Sequence, residues 1–122
     1  MLRNSSVKAN PIIVAAVENL FDEDRQFERT ERRFSIREQF SRPVTVKLND
    51  KDEVYDVFSK NISFEGIGII SKNEFPQGAE AKIEIYSSNS VNPVIVSKLA
   101  WCKPFGKGWY ISGWRFVTAV RG

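Results

Sequence analysis

Histidine is absent from the 122 residues, which removes at one stroke the commonest general base and the commonest zinc ligand. Most hydrolytic and metal-dependent chemistries lose their usual residues with it, and no catalytic or metal-ligating set is expected. Cysteine occurs once, at Cys102, so no intramolecular disulfide can form and the composition fits a reducing compartment. No hydrophobic run approaches the roughly 20 residues that span a bilayer. The apolar stretch from Ile12 to Val17 follows Arg3 and Lys8 in the manner of a signal peptide. Its centre is too short, Glu18 follows at once, and no convincing cleavage site stands behind it. A cytoplasmic chain is expected. Charge of one sign is also scarce: the net charge is +3, too little for a large nucleic-acid footprint unless the cations cluster.

Hydrophobic residues make up 42% of the chain and aromatics 12%, enough for a real core in one compact domain. Residues before Asn10 are polar. Asn10-Pro11 then reads as a helix start, a capping side chain followed by proline at the first helical position. Ile12, Ile13, Ala16, Val17, Leu20 and Phe21 recur at helical spacing, which predicts a short amphipathic helix over Pro11 to Phe21. Its apolar stripe needs a surface: the rest of the chain, a second copy in a homodimer, or a partner. From Asp22 to Arg37 acids and arginines alternate and the stretch reads as a linker, with Asp22-Glu23-Asp24 a solvated run; a solvated continuation of the helix, with Glu28 and Arg32 four apart, is the alternative.

From Pro43 the texture changes to short Val, Ile, Thr, Tyr and Phe-rich runs separated by turn residues. Strands are expected near 44–48, 53–60, 67–70, 81–85, 94–102 and 109–117, the last two joined by a loop over Lys103 to Gly108. Six short strands would leave exposed edges as an open sheet, so an all-β, antiparallel, closed or split barrel is the economical arrangement. Trp101, Tyr110, Trp114 and Phe116 are candidates to fill or cover it.

Two stretches carry the functional chemistry. Glu31-Arg32-Arg33-Phe34-Ser35-Ile36-Arg37 crowds arginines just ahead of the first strand. A guanidinium is planar, always charged and forked, so it grips a phosphate with two hydrogen bonds or lies against a base. Asn61-Ile62-Ser63-Phe64-Glu65-Gly66 offers an amide, a hydroxyl and a glycine at the end of a strand. The bland readings are local: Asn61 and Ser63 organise a turn, and Gly66 marks a bulge.

In order and spacing, Arg33-x-x-x-Arg37 followed by Asn61-x-Ser63-x-x-Gly66, with the late Gly113-Trp114-Arg115-Phe116, resembles a PilZ domain, whose motifs are RxxxR and [DN]xSxxG. The similarity covers roughly Glu28 to Thr118, within an expected division into 1–30, helix and flexible arm, and 31–122, barrel. The resemblance implies a six-stranded antiparallel barrel and cyclic di-GMP, a bacterial second messenger, as ligand, with no cofactor and no enzymatic activity. Carried over residue by residue, Arg33 and Arg37 would clamp phosphates and guanine faces while Asn61, Ser63 and Gly66 line the barrel surface. Arg29-x-x-x-Arg33 is a second match to the arginine spacing, so Arg29 and Arg32 are further candidates, and Trp101 is a candidate to stack a guanine. Many members add a C-terminal helix after the last strand, whereas this sequence stops at Gly122. The N-terminal helix is expected to cover the barrel, or mediate assembly, in its place.

The resulting expectation is a standalone bacterial receptor that signals to an unidentified downstream protein, in motility, biofilm formation or a related pathway. It would recognise no specific nucleic-acid sequence. Two rivals stand beside it: an adaptor that keeps the fold without the nucleotide, and a small barrel that binds single-stranded nucleic acid through aromatics and arginines.

Overall fold

A computed structural model describes residues 10–30 and 41–120 apart from Asn89, with the helix side chains described as far as Glu23. The helix begins where Asn10 and Pro11 place it. The Asn10 side-chain oxygen accepts the Ile12 amide at 2.8 Å, and its carbonyl accepts the Val14 amide at 3.0 Å, leaving proline at the one position that needs no donor. The helix, α1 (Pro11–Thr30), is longer than predicted. The charged stretch after Phe21 continues it because Glu, Arg and Gln are good helix formers once a turn is nucleated.

Six strands follow: β1 (Pro43–Leu48), β2 (Val54–Ile62), β3 (Gly66–Ser71), β4 (Glu80–Ile85), β5 (Val94–Gly106) and β6 (Trp109–Val120). They close into a barrel in the order β1-β2-β3-β6-β5-β4. Every neighbouring pair is antiparallel, and the β1–β4 pair that closes the ring runs from Val44 opposite Ile85 to Leu48 opposite Ala81. Period-two alternation decides what lies inside: Val44, Val46 and Leu48 from β1, Ile67 and Ile69 from β3, Ala81, Ile83 and Ile85 from β4, and Ile95 from β5 are buried. Each such aliphatic contributes about 1.5–3 kcal/mol by leaving water.

Of the four aromatics expected to fill or cover the barrel, only Trp114 is fully inside. Tyr110 and Phe116 are half-buried and Trp101 is on the outer wall. A six-stranded barrel is narrow, and branched aliphatics fill it. One end is plugged by Phe75, from the β3–β4 loop, whose ring meets Tyr55 and Trp114 edge-on at centroid distances of 5.4 and 5.3 Å.

Helix α1 covers the other end. Ile13, Val17 and Leu20 are buried in the same core as the barrel residues, so the apolar stripe docks on its own chain; Ile12, expected in the stripe, faces outward. The acidic run does not stay solvated either. Glu23 is buried and accepts a hydrogen bond from Arg42, the residue just before β1, with Nη1 2.6 Å from Oε1. Its carboxylate also accepts the Ser87 hydroxyl at 2.8 Å, the Ser88 amide at 3.1 Å and the Asn19 side-chain amide at 3.2 Å. Arg42 in turn donates to the carbonyls of Tyr86 and Leu20 at 3.0 and 3.1 Å. One buried ion pair thus ties α1 to the start of β1 and to the β4–β5 loop.

The β5–β6 connection is tighter than expected. Both strands run on to Gly106 and Trp109, leaving Lys107 and Gly108 as a two-residue turn. Their φ values of 53° and 84° put both in the left-handed region, the geometry that matches the twist of a hairpin.

Candidate functional site

The turn after β2 is built by Ser63. Its amide donates to the Gly66 carbonyl at 2.9 Å, and its hydroxyl oxygen accepts the amides of Glu65 and Gly66 at 3.1 and 3.3 Å. The turn-organising reading therefore holds for Ser63, whose O–H proton remains available to a further acceptor. The bulge in this hairpin lies between Ser59 and Asn61, not at Gly66. Gly66 is required for a different reason: a β-carbon there would strike the backbone carbonyl of Trp114 on β6.

Past the turn, the register lines up four outward-facing positions across four strands. Asn61 on β2 lies opposite Gly68 on β3, Gly68 opposite Gly113 on β6, and Gly113 opposite Trp101 on β5. The two central glycines form a floor, and the flanking side chains lean over it. The Asn61 Oδ1 stands 2.5 Å from where a Gly68 β-carbon would be, and the Nε1 edge of the Trp101 indole covers Gly113 in the same way. Next along the same wall, Gly66 lies opposite Arg115, and Arg115 opposite Lys98.

All of these except Lys98 line one open groove of about 500 Å³, with Asn61, Ser63, Gly66, Gly68, Trp101 and Arg115 contributing its chemistry, a size ordinary for small-molecule sites. The exposed Arg115 brings a guanidinium to it, and Glu65 brings a carboxylate. The Lys103 ammonium sits over the Trp101 ring, 5.2 Å from its centroid.

The structure thus brings together four of the residues singled out from sequence, Asn61, Ser63, Gly66 and Trp101. Arg33, Arg37 and Arg32, and the side chain of Arg29, lie outside the described residues. The end of their segment is nonetheless placed: the Arg42 amide donates to Ser59 Oγ and the Arg42 carbonyl accepts the Ser59 amide, both at 2.9 Å. The chain therefore joins the barrel beside β2, two residues from Asn61. Sequence reasoning missed Gly68, Gly113 and Arg115 as parts of the groove. Alternation alone puts Gly66 with Gly68, and Gly113 with Arg115, on outer faces; only the β3–β6 pairing makes those faces one surface. Among the described residues no cluster of Cys, Asp and Glu is arranged to hold a metal ion.

A closed six-stranded antiparallel barrel, plugged at one end by a loop and at the other by a helix, with a glycine-floored groove on its wall, belongs to the class of small β-barrel domains. The family model of the PilZ domain matches residues 23–121, most of the chain, and the protein belongs to that family. No curated protein and no solved structure matches it. No described helix is long and apolar enough to cross a membrane.

Proposed function

We propose that the protein is a bacterial, cytoplasmic cyclic di-GMP receptor that binds the dinucleotide between the arginine-bearing segment and the groove. The observation that carries this reading is the convergence of Asn61, Ser63, Gly66, Trp101 and Arg115 on one open surface, beside the point where the segment joins β1. Arg37 is five residues from Arg42, a reach of up to about 17 Å for extended chain, and Arg33 extends it. The two guanidiniums would take the phosphates or the O6 and N7 edge of a guanine, while Asn61 and the free Ser63 proton supply directed polar contacts.

The same turn offers an output. Phe64, between Ser63 and Gly66, meets Phe21 of α1 with ring centroids 6.0 Å apart. A ligand that rearranges the turn alters this contact, and α1 would present the change to a downstream protein. A homodimer through α1 would use its outer face, where Ile12 is exposed, since the opposite face is occupied by the barrel.

Isothermal titration with cyclic di-GMP, beside GTP and a short single-stranded oligonucleotide, tests the reading. Selective, saturable binding is expected. Charge-assisted hydrogen bonds contribute about 1.5–3 kcal/mol each, so Arg33→Ala and Arg37→Ala should each weaken binding roughly tenfold to more than a hundredfold. If both variants bind like the parent, the assigned site is wrong; if the folded parent binds nothing, the nucleotide-independent adaptor takes its place.

A further inference from the structure

The far end of the β5–β6 hairpin, past the residues that line the groove, carries a chemistry that the groove does not use. Glu84 is the last acidic residue of the sequence; beyond it come Lys98, Lys103, Lys107, Arg115 and Arg121 with no acid among them, and all three tryptophans. The hairpin also outruns its neighbours. β4 pairs with β5 only as far as Glu80 opposite Lys98, and β3 with β6 only as far as Ser71 opposite Tyr110. From Leu99 to Gly106, β5 therefore has β6 alone paired to it, while β6 keeps β3 as far as Tyr110; the Gly106–Trp109 pair and the turn lie beyond both neighbours. The projecting tip is Phe105-Gly106-Lys107-Gly108-Trp109, with Phe105 55% and Trp109 37% exposed.

The charged groups placed against the rings of this hairpin are lysines. Lys72, at the end of β3, places its ammonium 5.0 Å from the Trp109 ring centroid, and Lys103 stands over Trp101. Among the described residues two acids lie on this side: Glu80 bridges Lys98 at 3.9 Å, further back along β5 from the tip, and Glu74 lines a pocket with Trp101 and Cys102. The acids of the β1–β2 turn, Asp50, Asp52 and Glu53, are separated from the hairpin by β3 on one side and β4 on the other.

We infer that this tip is a docking surface for an anionic lipid bilayer. A largely exposed Phe105 beside the Lys107-Gly108 turn, the amphipathic indole of Trp109 on the other side of that turn, and the ammonium groups of Lys72 and Lys107 match the layered polarity of the membrane interface: acyl boundary, headgroup level, phosphate. The alternative polyanion, single-stranded nucleic acid, needs open aromatic faces for its bases. Here Lys72 already sits over the ring of Trp109, the tryptophan of the tip. Surface charge of this kind contributes a factor of about five in affinity per lysine near the bilayer.

Co-sedimentation of the intact chain with vesicles of phosphatidylcholine alone, and of phosphatidylcholine with phosphatidylglycerol, reads the interaction directly. Binding is expected only to the anionic vesicles, with a blue shift of tryptophan emission and a loss of binding as salt rises. The Lys72→Glu/Lys107→Glu double variant should lower vesicle affinity by more than tenfold, and Phe105→Ser should lower it while leaving the far-UV spectrum and unfolding midpoint in place. The inference is overturned if the folded chain ignores anionic vesicles, if both variants bind them like the parent, or if an oligonucleotide binds the tip in preference to them.

Discussion

Gly66, Gly68 and Gly113 face three different obstacles, and the differences order the effects of filling them. At Gly66 an added methyl meets the Trp114 backbone carbonyl, which cannot yield without moving β6; at Gly68 and Gly113 it meets the side chains of Asn61 and Trp101, which can rotate. Gly66→Ala should therefore cost about 1–3 kcal/mol in urea unfolding, and the other two alanine variants less. Their cost should appear in the groove. Gly113→Ala is expected to push the indole off its seat, changing tryptophan emission, and with Gly68→Ala to weaken cyclic di-GMP binding. A Gly68→Ala protein destabilised as much as Gly66→Ala would mean that Asn61 is anchored rather than free to turn. The motif Asn61-x-Ser63-x-x-Gly66 was enough to mark Gly66 as special, because that glycine ends it. It could not mark Gly113, whose role depends on a tryptophan twelve residues earlier that only the β5–β6 register brings across.

Helix α1 and the barrel are joined by an element-level device, the Glu23–Arg42 pair. Its side chains are only 3% and 9% exposed, so removing one partner takes this counter-charge from the other where water cannot replace it. Glu23→Ala should destabilise the fold by about 3–5 kcal/mol, and Glu23→Leu/Arg42→Met by much less, because two apolar groups leave no orphan charge. Chemical denaturation of the two variants separates these outcomes. The hairpin turn offers the opposite case. Lys107 occupies a left-handed position that Asn or Gly tolerates better, so Lys107→Asn should raise stability by about 0.5–1 kcal/mol, visible as a higher thermal midpoint. In the sequence, Asp22-Glu23-Asp24 has the texture of a solvated run. Helical geometry turns Glu23 inward, and three serines and asparagines of α1 and the β4–β5 loop, Asn19, Ser87 and Ser88, await it there.

At the scale of the whole molecule, the closed ring, the Phe75 plug and α1 enclose one continuous core, so unfolding should be a single cooperative transition. A ligand that binds only the folded form then adds its linkage energy to the whole. Cyclic di-GMP at a hundred times its Kd should stabilise the protein by about 2.7 kcal/mol, a rise of several degrees in Tm. The same addition to the Arg33→Ala/Arg37→Ala protein should shift Tm little. A full shift in that variant would place the ligand elsewhere on the barrel.

The sequence by itself determined the β character, the number of strands, the helix start at Asn10-Pro11 and the family motifs, because these rest on local alternation, capping and turn chemistry that neighbouring residues specify. Tertiary structure alone decided the rest. Which aromatics fill the barrel, where the apolar stripe of α1 goes, why an acidic residue is buried, and how glycines on two strands make one floor all depend on contacts between residues distant in the chain, such as Glu23 with Arg42, 19 positions apart, and Asn19 with Ser90, 71 apart. Such contacts are set by closure of the barrel and by its registers, and no local pattern carries that information.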